Sequence, residues 1–393
     1  MNKALSGTKV LDVSRVLAGP FCAMLLADLG ADVIKVEVPR RGDDSRQFGP
    51  FRNGESGYYM TFNRGKRSVT LDLRKPEGQA VFKDLARTAD VVVENFAVGT
   101  MDKWGIGYDD LKTINPRIVF GSITGFGQYG PNSQRKAFDP IAQAMGGLMS
   151  VTGPEGGTPV RVGIALADIS AAQFLTNGIL AALIQRGRTG EGQRIDVSMQ
   201  DSIVGILENS IIRHTFSGEI PSPLGSRHPT ITPYDVFRTR DGQIFICGAN
   251  DASWQRLCKV MGRPELANEK RFQSNQDRTC HVFELKELIE DWTKGCSQEE
   301  VLTALEASEV PCAAIMGIDA VVSDPHLKAR NMFVEVNHPT AGKVLITGMP
   351  IKMSASSDII GTPPVLGEHT ETVLKELEYS EERIAKLRAT GTI

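Results

Sequence analysis

The sequence predicts an α/β protein with a parallel sheet, and three features carry the prediction. Short β-branched runs recur through the first part of the chain, segments of helical spacing separate them, and Gly and Pro mark the junctions. Strands separated by helix-length segments pair in parallel, because a parallel connection needs a crossover. The runs fall at Lys9–Val13, Val33–Glu37, Ser68–Leu73, Val91–Asn95 and Ile118–Ile123. Between the first two, Ala18-Gly19-Pro20 opens a helix and Gly30 closes it, since Pro fits the first helical turn and Gly the position after the last. The first unit is therefore Rossmann-like in outline. It has no GxGxxG, and the chain has no GxxxxGK[ST], so no dinucleotide or nucleoside triphosphate motif accompanies it.

Further along, Asp168–Ile184 reads as a long apolar helix, followed by the turn-rich RGRTGEGQ and a strand at Arg194–Met199. Composition changes at Glu219–Pro233, where four prolines mark a linker. After it, VFRTRDGQIFI reads as a hairpin turning at Asp241-Gly242, and a charged helical stretch runs from Ala252 to about Ser308. VEVNHPTAGKVLITGMPIKMSA alternates like strands around a Pro/Gly turn, and the last residues are helical and charged. A chain of 393 residues exceeds one comfortable core. The expected division is a large Rossmann-like domain at 1–218, a linker and small α+β domain at 219–330, and a C-terminal segment, 331–393, returning to the large domain.

Composition excludes several functions. With 44 Lys and Arg against 47 Asp and Glu, the net charge is −3, which gives no basic field for nucleic acid. The six cysteines are scattered, without CxxC or a disulfide spacing, and read as reduced thiols. The six histidines form no HExxH or related ligand pattern, and no GxSxG occurs, so neither a metal site nor a Ser-His-Asp triad is expected. No signal peptide is visible, and no apolar stretch reaches the roughly 20 uninterrupted residues of a membrane span. A cytoplasmic protein without a membrane partner is expected.

The candidate site residues cluster at strand and helix ends. Asp168 closes VRVGIALAD and reads as the N-cap of a helix starting at Ile169. The dipole there would keep it ionised, and the same amides could later stabilise an oxyanion. Asp139 precedes Pro140 in KAFDPIAQAMGG and reads as a second helix cap. Lys136 just before it is either a solvated charge or an anion contact. Arg40, Arg41 and Arg46 follow the second strand in VPRRGDDSR, where α/β proteins bind anionic ligands, and Glu94-Asn95-Phe96 ends another strand facing the same crevice.

Read in order, longer motifs add a family. LDVSRVLAGPFCAMLLADLGADVIKVE, YYMTFNRGKRSVTLDLRKPEGQ, ADVVVENFAVGTMDKWGIGYDDL, NPRIVFGSITGFGQYGP, ALADISAAQ, GEGQRIDVSMQDS, VPCAAI and PPVLGEHTETVL together resemble the class III CoA transferases (the formyl-CoA transferase and carnitine CoA-transferase family) over nearly the whole chain. The resemblance implies an interlaced-ring homodimer and places Asp168 at the family's catalytic aspartate. It implies CoA transfer between carboxylic acids through an aspartyl anhydride and an aspartyl-CoA thioester. CoA enters as acyl-CoA substrate, with small carboxylic acids as the other partners and no metal or tightly bound cofactor. By motif position, CoA contacts would fall on Val16, Leu17, Arg40, Arg41, Leu71, Arg74, Asn95, Phe96, Ala97, Lys103, Arg135, Lys136 and Phe138. Leu17 stands near where formyl-CoA:oxalate enzymes carry glutamine, and GSRHPTIT where they have a glycine-rich loop. The wording of VTGPEGG, SITGFGQYGP and NHPTAGK is closer to succinyl-CoA:glutarate transferases, which implies a dicarboxylate acceptor and a succinyl or similar donor. Two alternatives share the fold. An α-methylacyl-CoA racemase needs a His where this chain has Phe138, which accepts no proton. A non-catalytic acyl-CoA binding protein needs no Asp168.

Overall fold

A computed structural model describes residues 3–393, which form two compact units. One holds everything up to Leu148 together with Arg161–Ile211 and Pro325–Ile393; the other holds Met149–Val160 and Ile212–Asp324. Against the expected division, both main boundaries lie a few residues earlier, and 149–160 goes with the smaller unit. That segment folds back on itself, with the Val160 N–H donating to the Thr152 carbonyl (3.0 Å). It carries no periodic signal that the sequence could have shown.

In the larger unit six strands form one parallel sheet: β1 (Lys9–Asp12), β2 (Asp32–Glu37), β3 (Lys66–Thr70), β4 (Val91–Glu94), β5 (Val119–Thr124) and β6 (Arg194–Ser198). Their spatial order is β3-β2-β1-β4-β5-β6. The chain steps outward from β1 through β2 to β3, then returns to the other side of β1 with β4. The winding direction reverses between β1 and β4, and parallel sheets open a crevice at the carboxyl ends of such a pair.

Helices cover both faces: α1 (Ala18–Asp28), α2 (Gly57–Asn63), α3 (Pro76–Ala86), α4 (Tyr108–Ile114), α5 (Asp139–Met145) and α6 (Leu166–Thr189). Val10, Val33, Val91 and Val119 point into one core with Cys22 and Leu26 of α1 and Leu175 and Ile179 of α6. Their neighbours Leu11, Ile34, Val92 and Phe120 point the other way, into a core with Phe82, Leu85, Leu111 and the C-terminal Leu374 and Leu387. Burial on both faces explains why these strands read as continuous apolar runs and not as alternating ones.

Helix α6 begins at Leu166 and ends at Thr189, where Gly190 takes φ +79°, so it outruns the expected Asp168–Ile184 at both ends. By length and composition alone it could cross a membrane, contrary to the sequence expectation. Its stripe of Ala167, Ala171, Leu175, Ile179 and Ala182 is buried in the protein core. Close packing on β5 depends on Gly121, where a Cβ would come 2.8 Å from Leu175 Cδ1.

After Pro325, a two-stranded ladder (Phe333–His338 with Gly342–Thr347) precedes two helices, Thr370–Glu376 and Glu381–Ala389. Thr370 Oγ1 accepts the Thr70 N–H at the end of β3 (2.9 Å), and the Thr392 carbonyl accepts the Asp72 N–H (2.8 Å). The smaller unit pairs Tyr234–Arg238, Gln243–Cys247 and Cys312–Ala314 in an antiparallel sheet. Helices there bury Trp254, Leu257, Leu285 and Leu305 against Phe237, Ile244 and Ile246. Its hairpin turns at Asp241-Gly242, with the Thr239 N–H on the Gly242 carbonyl (2.9 Å).

Candidate active site

Charged residues inside parallel strands are the first sign of a site. Asp12 at the end of β1 and Lys35 in β2 are fully buried, as is Lys66 at the start of β3. Lys66 Nζ donates to Asp12 Oδ2 (2.8 Å), to the Pro20 carbonyl (2.8 Å) and to Asn63 Oδ1 (2.8 Å). Lys35 lies between Asp43 (3.0 Å) and Asp12 (3.6 Å) and also donates to the Ser14 carbonyl. Burial pulls Lys66 down to about 8 despite Asp12, while Asp43, also buried, is held down to about 2, chiefly by Lys35 and the Ser45 hydroxyl. Next to this cluster Arg46 pairs with Glu37 (2.7 Å) and lies over the Tyr59 ring (3.6 Å), so its guanidinium belongs to the core and not to the basic loop expected from VPRRGDDSR.

The cluster grips the loop between β1 and α1. Asp12 Oδ1 accepts the Ser14 N–H (3.0 Å), and Asp43 Oδ1 accepts the Val16 N–H (3.1 Å). From the other side of the switch point, Asn95 accepts the Arg15 N–H (2.7 Å) and donates to the Arg15 carbonyl (2.8 Å). Val16 takes φ +66°, a left-handed conformation that is a true outlier for a β-branched residue. Gly19 has to be glycine here, since a Cβ would meet Ser14 Cβ at 2.1 Å. Leu17, the residue before α1, offers no side-chain cap, so the first amides of α1 are free to meet something else.

They meet Asp168. The Ala18 N–H faces its carboxylate and favours the ionised form, and that carboxylate lies partly buried in the first turn of α6. Asp168 is therefore not the cap of its own helix. That helix starts two residues earlier, after Ala165, and its Ala167 N–H is satisfied by Asp139 Oδ1 (2.8 Å) from α5. Asp139 in turn does not cap α5, which begins on it with Phe138 in the N-cap place; its other oxygen takes Gln143 Nε2 (2.8 Å). Burial, with the Asp139 charge second, pushes Asp168 up to about 7, against the facing Ala18 amide. Desolvation thus outweighs the dipole that was expected to keep it ionised. Among the described residues no cation pairs with Asp168, a costly state that functional sites retain.

Beyond the loop, at the carboxyl ends of β1, β2, β3 and β4, lies a cavity of about 130 Å³. Leu71, Leu73 and Val38 give it apolar walls, and Phe96 and Trp104 meet edge to face there (5.3 Å between centroids). Arg15 lies over Phe96 (4.9 Å), while Arg41 and Arg74 reach the same rim, paired with Asp44 (2.8 Å) and Asp72 (2.8 Å). A flat aromatic wall with guanidinium groups at the mouth suits a planar heterocycle carrying phosphates.

Residues 5–370 match the model of CoA-transferase family III. The chain belongs to that family. It is 40% identical to a succinate–glutarate CoA-transferase of Agrobacterium fabrum over 96% of both chains. It is 37% identical to a succinyl-CoA:D-citramalate CoA-transferase of Chloroflexus aurantiacus over 100% of this chain and 98% of that one. A crystal structure of a CAIB/BAIF family protein from Brucella suis superposes with TM-score 0.85 at 38% identity, covering 96% of this chain and 100% of that one.

In this family III CoA-transferase the sequence-predicted contacts divide by position. Arg41, Leu71, Arg74 and Phe96 line the cavity. Val16 and Leu17 form the loop that leads into Ala18, and Asn95 is the clamp on that loop. Arg40, Ala97, Lys103, Arg135, Lys136 and Phe138 are exposed and outside the cavity lining. Sequence reasoning missed Arg15 and Trp104, and it missed the buried transferase cluster of Asp12, Lys35, Asp43 and Lys66. The cluster did leave a signal: Asp12 and Lys35 interrupt runs that a parallel sheet buries on both faces, where an unpaired charge would not be tolerated.

Proposed function

We propose that the enzyme transfers CoA from succinyl-CoA to a dicarboxylate, with Asp168 as the nucleophile and the aromatic-walled cavity holding the nucleotide end of CoA. The observation that carries this reading is the Asp168 carboxylate itself, partly buried, with no cation paired to it among the described residues and with the Ala18 N–H facing it. An Asp168 oxygen attacks the donor thioester carbonyl, forming a mixed anhydride and releasing CoA thiolate. The thiolate attacks the aspartyl carbonyl, succinate leaves, and an aspartyl-CoA thioester remains. The acceptor carboxylate displaces CoA to give the second anhydride, and the thiolate then takes the new acyl group, restoring Asp168. Each attack on the aspartyl carbonyl puts charge on its oxygen, for which the facing Ala18 N–H is the donor in this reading. One thioester replaces another, so the cycle consumes no nucleotide triphosphate.

The acceptor reading rests on the relatives' substrates together with the sequence wording that resembles glutarate enzymes. Phe138 is exposed and offers no base, which leaves the racemase alternative without its second acid–base group. Exposed apolar residues such as Phe174 and Ile184 on α6 and Phe216 farther on support the reading as a homodimer of interlaced rings. We take the protein to be cytoplasmic and to need no metal.

Two expectations test the site. Because Asp168 must be ionised to attack and is raised to about 7, kcat/KM falls tenfold per pH unit below about 7 and levels off above it. A profile flat from pH 5 to 8 contradicts this assignment. Arg41→Ala and Arg74→Ala each raise the KM for succinyl-CoA about tenfold with kcat nearly unchanged, since they meet the non-reacting end of the substrate. Dephospho-CoA thioesters show whether either arginine meets the ribose phosphate. The direct test is a steady-state screen of succinyl-CoA against glutarate, citramalate, mesaconate, oxalate and monocarboxylates.

A further inference from the structure

The loop that aims Ala18 at Asp168 is held by side chains at each backbone polar group from the Ser14 N–H to the Val16 N–H. Val16 within it sits at φ +66°. A non-glycine residue in that region is strained and persists only where the surroundings over-determine it. Its N–H is taken by Asp43, whose two oxygens lie 3.1 and 3.3 Å away. Asp43 is itself immobilised: it is buried, paired with Lys35 at 3.0 Å, and accepts the Ser45 N–H (2.8 Å) and hydroxyl (2.7 Å). Two residues after Val16 comes the amide that meets Asp168.

Resting on the reading of Asp168 as nucleophile, we propose that Asp43 is a positioning residue for the transfer. Its carboxylate holds Val16 in the left-handed conformation and thereby points the Ala18 N–H at the reacting carboxylate. Without it Val16 relaxes to negative φ, the following peptide units turn, and Asp168 loses the facing Ala18 N–H, which favours its ionised form and is the donor for the developing oxyanion.

Two consequences of removing Asp43 have opposite signs, which makes the proposal testable. Asp168 is faced by Asp139 from α5, by Tyr58 from α2 and by the Ala18 amide from α1. Asp43 is faced by Lys35, Lys66, Glu37 and the Tyr58 and Tyr59 hydroxyls. Deleting a negative charge and leaving Lys35 in excess would favour ionised Asp168 and move the acid limb of kcat/KM down. Losing the facing Ala18 amide disfavours ionised Asp168 and moves the limb up.

The experiment compares Asp43→Ala, Asp43→Asn and Asp43→Ala/Val16→Gly in the full-length enzyme, each first checked for folding by thermal unfolding. Asp43→Ala is expected to lower kcat about 10²-fold, as for loss of one oxyanion donor, with a smaller change in KM and an upward shift of the acid limb. Asp43→Asn keeps an acceptor for Val16 and loses less. Val16→Gly added to Asp43→Ala recovers about tenfold, because glycine reaches positive φ without help. If Asp43→Ala does not fold, Asp43→Asn takes its place and Val16→Gly must again move its limb and rate toward wild type. A limb that stays put or moves down, or a double variant no faster than the single one, overturns the proposal. Hydroxylamine trapping on the wild-type enzyme reports separately on Asp168, so failure of the positioning idea and failure of the nucleophile reading are distinguishable.

Discussion

Asp168→Ala is expected to lower CoA transfer by roughly 10⁴-fold or more, because removal of a covalent nucleophile takes away the path and not only a contact. Asp168→Asn does the same, although its carbonyl oxygen still faces the Ala18 N–H, since a carboxamide cannot form the anhydride. Asp168→Glu keeps the group but displaces it by about a methylene, and misplacement near 1 Å costs about 10²-fold. Stability moves the other way. Asp168 is raised to about 7 from 3.8, so between these values the folded state holds a proton that the unfolded state has lost. Its contribution is therefore full at low pH and is lost as pH rises through about 7. Asp168→Asn lacks this loss, and at pH 8 it is more stable than wild type while nearly inactive. Thermal unfolding of both proteins at pH 5 and pH 8 checks the sign; an Asp168→Asn protein that is less stable at pH 8 would show the carboxylate to be structural.

The second large effect is on folding. Asp12→Ala removes the shared acceptor of two fully buried lysines, Lys66 at 2.8 Å and Lys35 at 3.6 Å. Breaking a buried pair from one side costs about 3–5 kcal/mol, because the remaining charges have no water to turn to. A fall in Tm on the order of 10 °C follows. The penalty depends on pH in a definite direction. Burial already lowers Lys66 from 10.5 to about 8, and without Asp12 it falls further. The unfolded state then holds more protons over a wider range, so the variant gains stability relative to wild type as pH rises from 7 to 9. Urea unfolding at the two pH values measures this. A deficit unchanged with pH would mean that Lys66 does not titrate in the fold.

Much of this architecture is legible in the sequence, and the limits are physical. The parallel strands announce themselves because both of their faces are buried, which leaves runs such as Val91–Val93 without polar interruption. Asp168 was found through its motif, but its environment was not, because the groups around it come from elsewhere in the chain. The start of α6 carries no capping residue at Ala165; its amide partner is Asp139, 28 residues away. Local patterns assign capping to neighbours, so both aspartates looked like caps of their own helices. Asn95 is similar: it follows directly on β4, one residue past the strand's end, yet its amide is spent on Arg15, 80 residues away in sequence. The left-handed Val16 is the least legible feature, since nothing in VSRVLAGP asks for positive φ and its N–H is taken by Asp43, 27 residues away and itself paired with Lys35.

The most direct test of the account is chemical trapping on Asp168. Wild type and Asp168→Ala are mixed with succinyl-CoA, quenched in acid or in hydroxylamine, and read by intact mass and peptide mapping. The account predicts a CoA-sized adduct on wild type, converted by hydroxylamine to a hydroxamate at Asp168, and no modification of the variant. An adduct that persists on Asp168→Ala, or its absence from wild type while transfer proceeds, would contradict it.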